Sequence, residues 1–495
     1  MRLGTVAILV ILLPLMLSSV TAALRPKKAR LLMLSVNVLC LLMSAYLLIQ
    51  VLRQNAAFTV SMGEIGAPFG NELFVSKTEA VVLVGFDLIM LLSLLSGGRK
   101  IVHDISINRI SLYYTVCSLL LAAMNALVLT NDIFTGYVFL EISTIAAGAL
   151  IFAGSKRGAL MASMRYMIMN LLGSGLFLFG LSILYSLTGE LLFSGILQKV
   201  SEVAAQGKYT GALFVGLTLI SLGLAMKSAL FPFHTWLPNA YSLSTPASSS
   251  LLSSLVSKAY IFLYIKIIAR GVGLSVFRES GANDVLLLYA VLAIVMGSVD
   301  AIQQHNVRRM ISYSSVAQIG YIFLAVSFAT RQGLAAAVFQ IFAHSAAKAM
   351  LFPAVDRLVE VSGGNENFRD LRGSGYRAPV AGLAFAVGAF SIEGTPPLGG
   401  FSAKVFVASA AYAVGSWRMY VALGALAIST VLNIVYFLRT VVTVYRKSDR
   451  QPNAFFHQKV NAFRAFLCAF IALNLFMGVG AGGIMQLING GINIW

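Results

Sequence analysis

Runs of about twenty apolar residues recur from Leu3 almost to the end of the chain, each long enough to cross the hydrocarbon of a bilayer as a helix. No other feature narrows the choice of folds so far. In lipid the backbone must satisfy its own hydrogen bonds, so a chain built of such runs becomes a bundle of transmembrane helices. The composition agrees: 58% of residues are hydrophobic and 11% charged, where a soluble protein carries roughly a quarter charged residues. Breaker residues divide the chain into about fourteen spans, near 3–23, 31–51, 79–97, 110–130, 132–153, 163–187, 211–231, 243–269, 284–302, 310–329, 334–357, 379–411, 419–441 and 463–489. The stretch at 379–411 reads as broken. The first run follows Arg2 and precedes small residues, yet it is read as a membrane span and not as a cleaved signal.

The net charge of +18 would suggest a nucleic-acid partner in a soluble protein. Here the membrane accounts for it, because cytoplasmic loops accumulate Lys and Arg. Alternate loops hold basic groups such as Arg25, Lys27, Lys28 and Arg30; Lys156, Arg157 and Arg165; Arg308 and Arg309; and Arg446, Lys447, Arg450, Lys459 and Arg464. The opposite loops are poorer, with Arg2, Arg53, Lys77, Lys199 and Lys208 among their few. The richer side is expected to face the cytoplasm of a plasma or inner membrane, leaving both termini outside. Nucleic acid is not an expected partner; the lipid bilayer is.

Cys40, Cys117 and Cys468 are far apart in apolar surroundings and form no CxxC pair, so neither an iron–sulfur nor a zinc site is expected. No Gly-rich phosphate loop, nucleophile elbow or HExxH stretch occurs. The chain is expected to hold no cofactor and no metal, and to perform no redox chemistry itself.

Several basic residues fall inside the spans. Lys266 and Arg439 lie near span ends, where they are expected to snorkel to the interface. Lys227, Lys258, Lys348 and Lys404 do not. A lysine at the bilayer centre costs roughly 2.5–3.5 kcal/mol on insertion scales, so four approach about 10 kcal/mol, and they require partners, internal water or both. Three carboxylates read as well buried: Asp87, Glu141 in "YVFLEISTIAAGAL" and Glu393 in "SIEGTPPLGGF". A carboxylate and an amine buried together each favour the charged form of the other, and a nearby proton can tip that balance. Such a pair is a two-state electrostatic element; the competing reading is a static ion pair that only fixes packing.

The breaks sharpen the first reading. Pro232 and Pro238 follow Lys227 in "AMKSALFPFHTWLP", while Pro396 and Pro397 precede Lys404 in "GTPPLGGFSAK". Proline removes a backbone donor, and interrupted helices survive at membrane depth only where protein or a water-filled cavity satisfies the freed groups. Matching interruptions in two halves of a chain point to an inverted-repeat transporter. In "VFQIFAHSAAKAMLF", His344 and Lys348 share one helix face. A histidine can pass a proton through either ring nitrogen, and His234 offers the same chemistry at the first break. "RRMISYSSVAQIGY" sets Ser314, Ser315, Gln318 and Tyr321 on nearby turns, suited to holding water or to interhelical hydrogen bonds.

"TNDIFTGYVFLEISTIAAGALI", "KSALFPFHTWLPNAYSLSTPASSSLLSSLVSKAY", "RRMISYSSVAQIGYIFLA", "HSAAKAMLF" and "GTPPLGGFSAK" together resemble, in this order, the successive signatures of the antiporter-like membrane subunits. These occur in respiratory complex I, Mrp-type sodium/proton antiporters and membrane-bound hydrogenases. The resemblance runs from about residue 105 to 445. It implies an all-α polytopic fold of fourteen helices with two inverted five-helix repeats, 105–270 and 280–445, each containing a broken helix. Peripheral helices would fill 1–104, and a loop and last helix 446–495. Carried over by motif, Glu141 would modulate Lys227. Lys258, His344 and Lys348 would continue a proton path across the membrane plane, and Lys404 would end it near the opposite half-channel. Glu393 stands where the family has a small or apolar residue. It would pair with a lysine of the second repeat, tune cation preference, or face a neighbouring subunit.

The function implied is that of a proton- or sodium-translocating subunit of a complex I-related membrane machine, nearer the Mrp and membrane-hydrogenase branch. Its partners would be other membrane subunits, further antiporter-like ones among them, with peripheral redox subunits if the parent complex is a hydrogenase or complex I. The alternative is a stand-alone secondary cation/proton antiporter. That would group carboxylates around one midplane pocket, whereas this chain spreads lysines over several helices.

Overall fold

The computed structural model describes residues 3–62, 70–154, 156–207, 209–447 and 461–495. Arg2, Lys208, Arg450 and Lys459 lie outside the described residues. Among those described, thirteen helices are long and apolar enough to cross a membrane. In chain order, spans 1 to 6 are Leu3–Ala23, Pro26–Gln54, Lys77–Gly98, Ile107–Leu129, Ile133–Phe152 and Ala159–Thr188. Span 7 begins as Thr210–Lys227, and spans 8 to 11 are Pro246–Val272, Ala282–Ile302, Val307–Ser327 and Arg331–Glu360. Span 12 is made of two shorter apolar helices, Pro379–Glu393 and Gly399–Val414; spans 13 and 14 are Trp417–Tyr445 and Ala462–Val479. The protein is a multi-pass, all-α membrane bundle.

The two broken spans, 7 and 12, are five spans apart. Each break separates two helical segments of its span.

The elements missed at sequence level are small. A two-stranded antiparallel hairpin, Phe58–Ser61 with Glu72–Val75, joins spans 2 and 3. Phe193–Gln206 is an amphipathic helix with Phe193, Ile196 and Val200 buried. The last stretch, expected as one helix to 489, ends at Val479 and resumes as Ala481–Ile492.

Burial is uneven in a way that bears on function. The most apolar stretches of spans 8 and 11 are entirely buried and that of span 10 is 94% buried, against 22% for span 14 and 33% for span 2. Spans 8, 10 and 11 therefore form the centre of the bundle, and they carry Lys258, Ser314, His344 and Lys348. Spans 6 and 7 meet through glycine. A Cβ on Gly173 would lie 2.8 Å from the Gly223 carbonyl oxygen, and one on Gly180 2.6 Å from that of Gly216. Without a driving force from water, helices in lipid associate through such close backbone approach. Here it presses the stem of Lys227 against span 6, where a Cβ on Gly173 would meet Lys227 Cγ at 3.1 Å.

Candidate functional site

Span 7 stops at Lys227. Ala229 takes a left-handed conformation with φ of 59°, Pro232 offers no amide donor, and the chain crosses Phe233–Trp236 before resuming as Leu237–Leu243. Pro238 sits in the first turn of that second half, where a missing donor costs little. The freed carbonyls are met by protein: Ser228 N donates to Leu224 O at 2.9 Å, Leu230 N to Ala225 O at 3.0 Å, and Trp236 Nε1 to Met226 O at 3.3 Å. The interruption is thereby stabilised in the bundle interior.

Lys227 is fully buried at this break. Its Nζ lies 3.0 Å from Glu141 Oε1 and 2.8 Å from Thr144 Oγ1, both on span 5, and 5.7 Å from the centre of the Tyr260 ring on span 8. Glu141 also accepts from the Ser174 hydroxyl of span 6. The Tyr260 hydroxyl in turn meets Ser143 Oγ at 3.0 Å and Thr144 Oγ1 at 3.3 Å. Glu141, expected to be well buried, keeps 22% of its side-chain surface exposed against none for Lys227, so the acid lies towards the surface of the bundle and the amine inside it. The pairing of Glu141 with Lys227 is as expected; Thr144, Tyr260 and Ser174 could not be assigned from sequence, because each comes from a different turn or span.

Span 8 departs from regular α geometry at Leu252–Val256, a π turn, a distortion frequent at functional positions. Lys258 Nζ lies 2.5 Å from the Ser253 carbonyl oxygen within it and 3.1 Å from Ser257 Oγ. On span 11, Ser345 Oγ donates to Ser254 O at 2.5 Å, fastening that helix to the same turn. One residue away, His344 is buried within electrostatic reach of both Lys258 and Lys348, and neither ring nitrogen has a hydrogen-bond partner. Lys348 Nζ donates to Ile311 O at 2.6 Å and to the Ser314 hydroxyl. Ser315 instead bonds only Ile311 O, at 3.3 Å. Gln318 is tied to Gln340 at 2.7 Å.

At the second break Gly394 ends the first half of span 12 with φ of 91°, a value that favours glycine. A Cβ on Gly400 would stand 1.7 Å from the Ser391 carbonyl oxygen, so the two halves touch through backbone. Lys404 Nζ donates to Glu393 O at 2.7 Å and Thr430 Oγ1 at 3.0 Å, and lies 5.5 Å from the Tyr321 ring centre.

His234 stands apart from this set. Its Nε2 lies 3.5 Å from Asp300 Oδ2, at the end of span 9, and its ring stacks on Phe231. Asp300 gave no signal in the sequence. Lys266 corrects an expectation: it does not snorkel but is fully buried, donating to Val128 O at 2.7 Å and Thr130 O at 2.5 Å at the end of span 4. Neighbouring elements cover this end of span 8, so the amine caps a helix terminus instead of reaching water. Arg439 is exposed, as expected.

Amines on spans 7, 8, 11 and 12, two of them at helix breaks, with the Glu141 carboxylate on span 5, make an arrangement that can hold and exchange protons inside a membrane. The family model described as NADH:quinone oxidoreductase/Mrp antiporter, transmembrane, matches residues 130–430. The chain belongs to this family of antiporter-like membrane proteins. It is similar to an Na(+)/H(+) antiporter subunit of Bacillus subtilis, 26% identical over 90% of this chain and 87% of that protein. It is also similar to the NADH-quinone oxidoreductase subunit N of Desulforudis audaxviator, 32% identical over 69% of this chain and 66% of that one. Among solved structures, a chain of the membrane-bound sulfane sulfur reductase, an archaeal respiratory membrane complex, superposes with a TM-score of 0.87 at 27% identity, covering 99% of this chain and 97% of that chain.

Proposed function

We propose that this chain is an ion-translocating, antiporter-like subunit of a multisubunit membrane complex, moving protons along Glu141, Lys227, Lys258, His344, Lys348 and Lys404. The observation that carries the proposal is the Glu141–Lys227 pair at the break of span 7, its amine fully buried and its acid partly exposed, with Thr144 as a neutral third partner. When the pair is closed, each charge stabilises the other. When a proton reaches Glu141 the attraction is lost, and the Lys227 ammonium is left in a site it can occupy only at a cost, so it yields its proton towards the next amine. Lys258, His344 and Lys348 take up that role at the centre, and Lys404 at the second break, where the Glu393 carbonyl and the Thr430 hydroxyl accept hydrogen bonds from its amine.

The repeats on this reading are 105–270 and 280–445, with 1–104 peripheral and 446–495 closing the bundle. The loop holding Lys156 and the first turn of span 10, with Arg308 and Arg309, lie on the cytoplasmic side of a plasma or inner membrane, and both termini lie outside. The names of the relatives, one an antiporter subunit and one an oxidoreductase subunit, support membership of a larger assembly. Its other members would be membrane subunits, further antiporter-like ones included, and redox subunits where the assembly is redox-driven. Lys227→Ala, in a complex verified as assembled, is expected to abolish ion pumping into vesicles, and Glu141→Gln to cut it severely. Full pumping by an assembled Lys227→Ala complex would reduce the buried amines to packing elements.

A further inference from the structure

Arg308, at the start of span 10, is among the largest fully buried side chains among the described residues. Its guanidinium does not touch any residue of the path. Nη1 lies 3.3 Å from Ser242 O and 3.2 Å from Ser244 O, where the second half of broken span 7 turns into span 8. Nη2 lies 3.2 Å from Asp356 Oδ1 near the end of span 11. Lys156, from the loop between spans 5 and 6, donates to the same Ser242 oxygen at 3.0 Å and pairs with Glu366, which also lies 3.7 Å from Arg308 Nε. Two cations therefore converge on the carboxyl end of the seven-residue helix Leu237–Leu243, where backbone carbonyls concentrate negative potential. Beside them lies a cavity of ≈ 340 Å³, lined in part by Ser244, Thr245, Arg308 and Asp356.

The same two helices that Arg308 and Asp356 bridge, spans 10 and 11, are bridged a second time by Lys348 and Ser314. Arg308 lies about two turns from Ser314 along span 10, and Asp356 about two turns from Lys348 along span 11. We infer that Arg308 is a positioning residue: it latches the hinge after the span 7 break to spans 10 and 11, so that movement at the Lys227 break and the Lys348–Ser314 contact are mechanically coupled. A guanidinium suits this role because its fork holds two carbonyls and a carboxylate at once in fixed geometry. A lysine keeps the charge and loses the fork. The functional half of the inference rests on the translocation reading above; the latch itself does not.

The test uses the assembled complex. In Arg308→Lys, hydrogen exchange of amides 237–245 should rise about tenfold while spans 1 and 2 stay unchanged, since a local opening exchanges without global unfolding. Ion transport should fall about tenfold, and in Arg308→Lys/Ser314→Ala the combined loss should be smaller than the product of the separate losses, as coupled residues require. Wild-type exchange in 237–245 would overturn the latch, and losses that simply multiply would overturn the coupling. Should Arg308→Lys fail to assemble, Lys156→Met removes one of the two donors on Ser242 O and is read the same way. Faster exchange in a complex that moves no ions even as wild type would sink the translocation reading and leave the latch standing.

Discussion

Lys404 Nζ is held by the backbone carbonyl of Glu393, 2.7 Å away, while Oε1 of the same residue is buried with no hydrogen-bond partner. The amine is thus anchored by groups that carry no net charge, the Glu393 carbonyl and the Thr430 hydroxyl. Glu393→Gln removes the carboxylate and leaves both anchors. Transport by that variant is expected to stay within about threefold of wild type, since neither hydrogen bond to the amine is lost. A fall as deep as that of Lys404→Ala would show that the Glu393 charge, and not the carbonyl, governs the amine. Vesicle uptake in matched assembled complexes distinguishes the two.

Ser314 and Ser315 are neighbours in sequence with different duties. Ser314 reaches Lys348, whereas Ser315 returns its hydroxyl to its own helix at Ile311 O. Ser314→Ala should slow transport by roughly fivefold to tenfold, the equivalent of about 1 kcal/mol of lost hydrogen bonding. Ser315→Ala should leave the rate unchanged. Equal effects of the two would remove Ser314 from the site.

Lys266 is a buried amine with a structural duty. Lys266→Met fills much of the same volume but leaves the Val128 and Thr130 carbonyls unmet, at a cost of about 1–3 kcal/mol. A lower melting temperature of the purified protein is expected, together with pumping by the protein that remains folded. Loss of pumping at unchanged thermal stability would place Lys266 in the ion path.

The Lys156–Glu366 tie should respond to acid. Burial alone would raise Glu366, but the Arg308 guanidinium and the Lys156 ammonium outweigh it and hold its carboxyl below the usual carboxylate range. A folded value depressed in this way contributes stability that is complete above the ordinary carboxylate range and is lost as pH falls through the depressed value. Amide exchange in 361–367, corrected for its intrinsic pH dependence, should therefore stay slow until strongly acidic pH and then rise. Glu366→Gln should remove that step. A step that persists in Glu366→Gln would assign the titration to another group.

The long apolar spans, the two interruptions and the amines beside them were legible because each is a local property: length, a missing amide donor, a charge amid hydrocarbon. Contacts across the bundle were not. Thr144 beside Lys227, Asp300 beside His234 and the Gly173–Gly223 approach each join residues remote in sequence, and nothing in either segment names its partner. The hairpin at 58–61 and 72–75 leaves no pattern in the sequence because its strands are only four residues long.

The sequence alone therefore determined that this chain lies in a membrane as a helical bundle, where it breaks, and which amines and acids must be accommodated inside, since transfer from water to lipid is set residue by residue. Only the tertiary structure decided what each buried group touches. It turned Lys266 from an interfacial amine into a helix cap, gave Ser314 and not Ser315 to Lys348, and hydrogen-bonded Lys404 to the Glu393 backbone carbonyl with the carboxylate of the same residue in electrostatic reach. The reason is geometric: helical periodicity fixes the face a side chain occupies, whereas the neighbour opposite that face depends on how the spans cross.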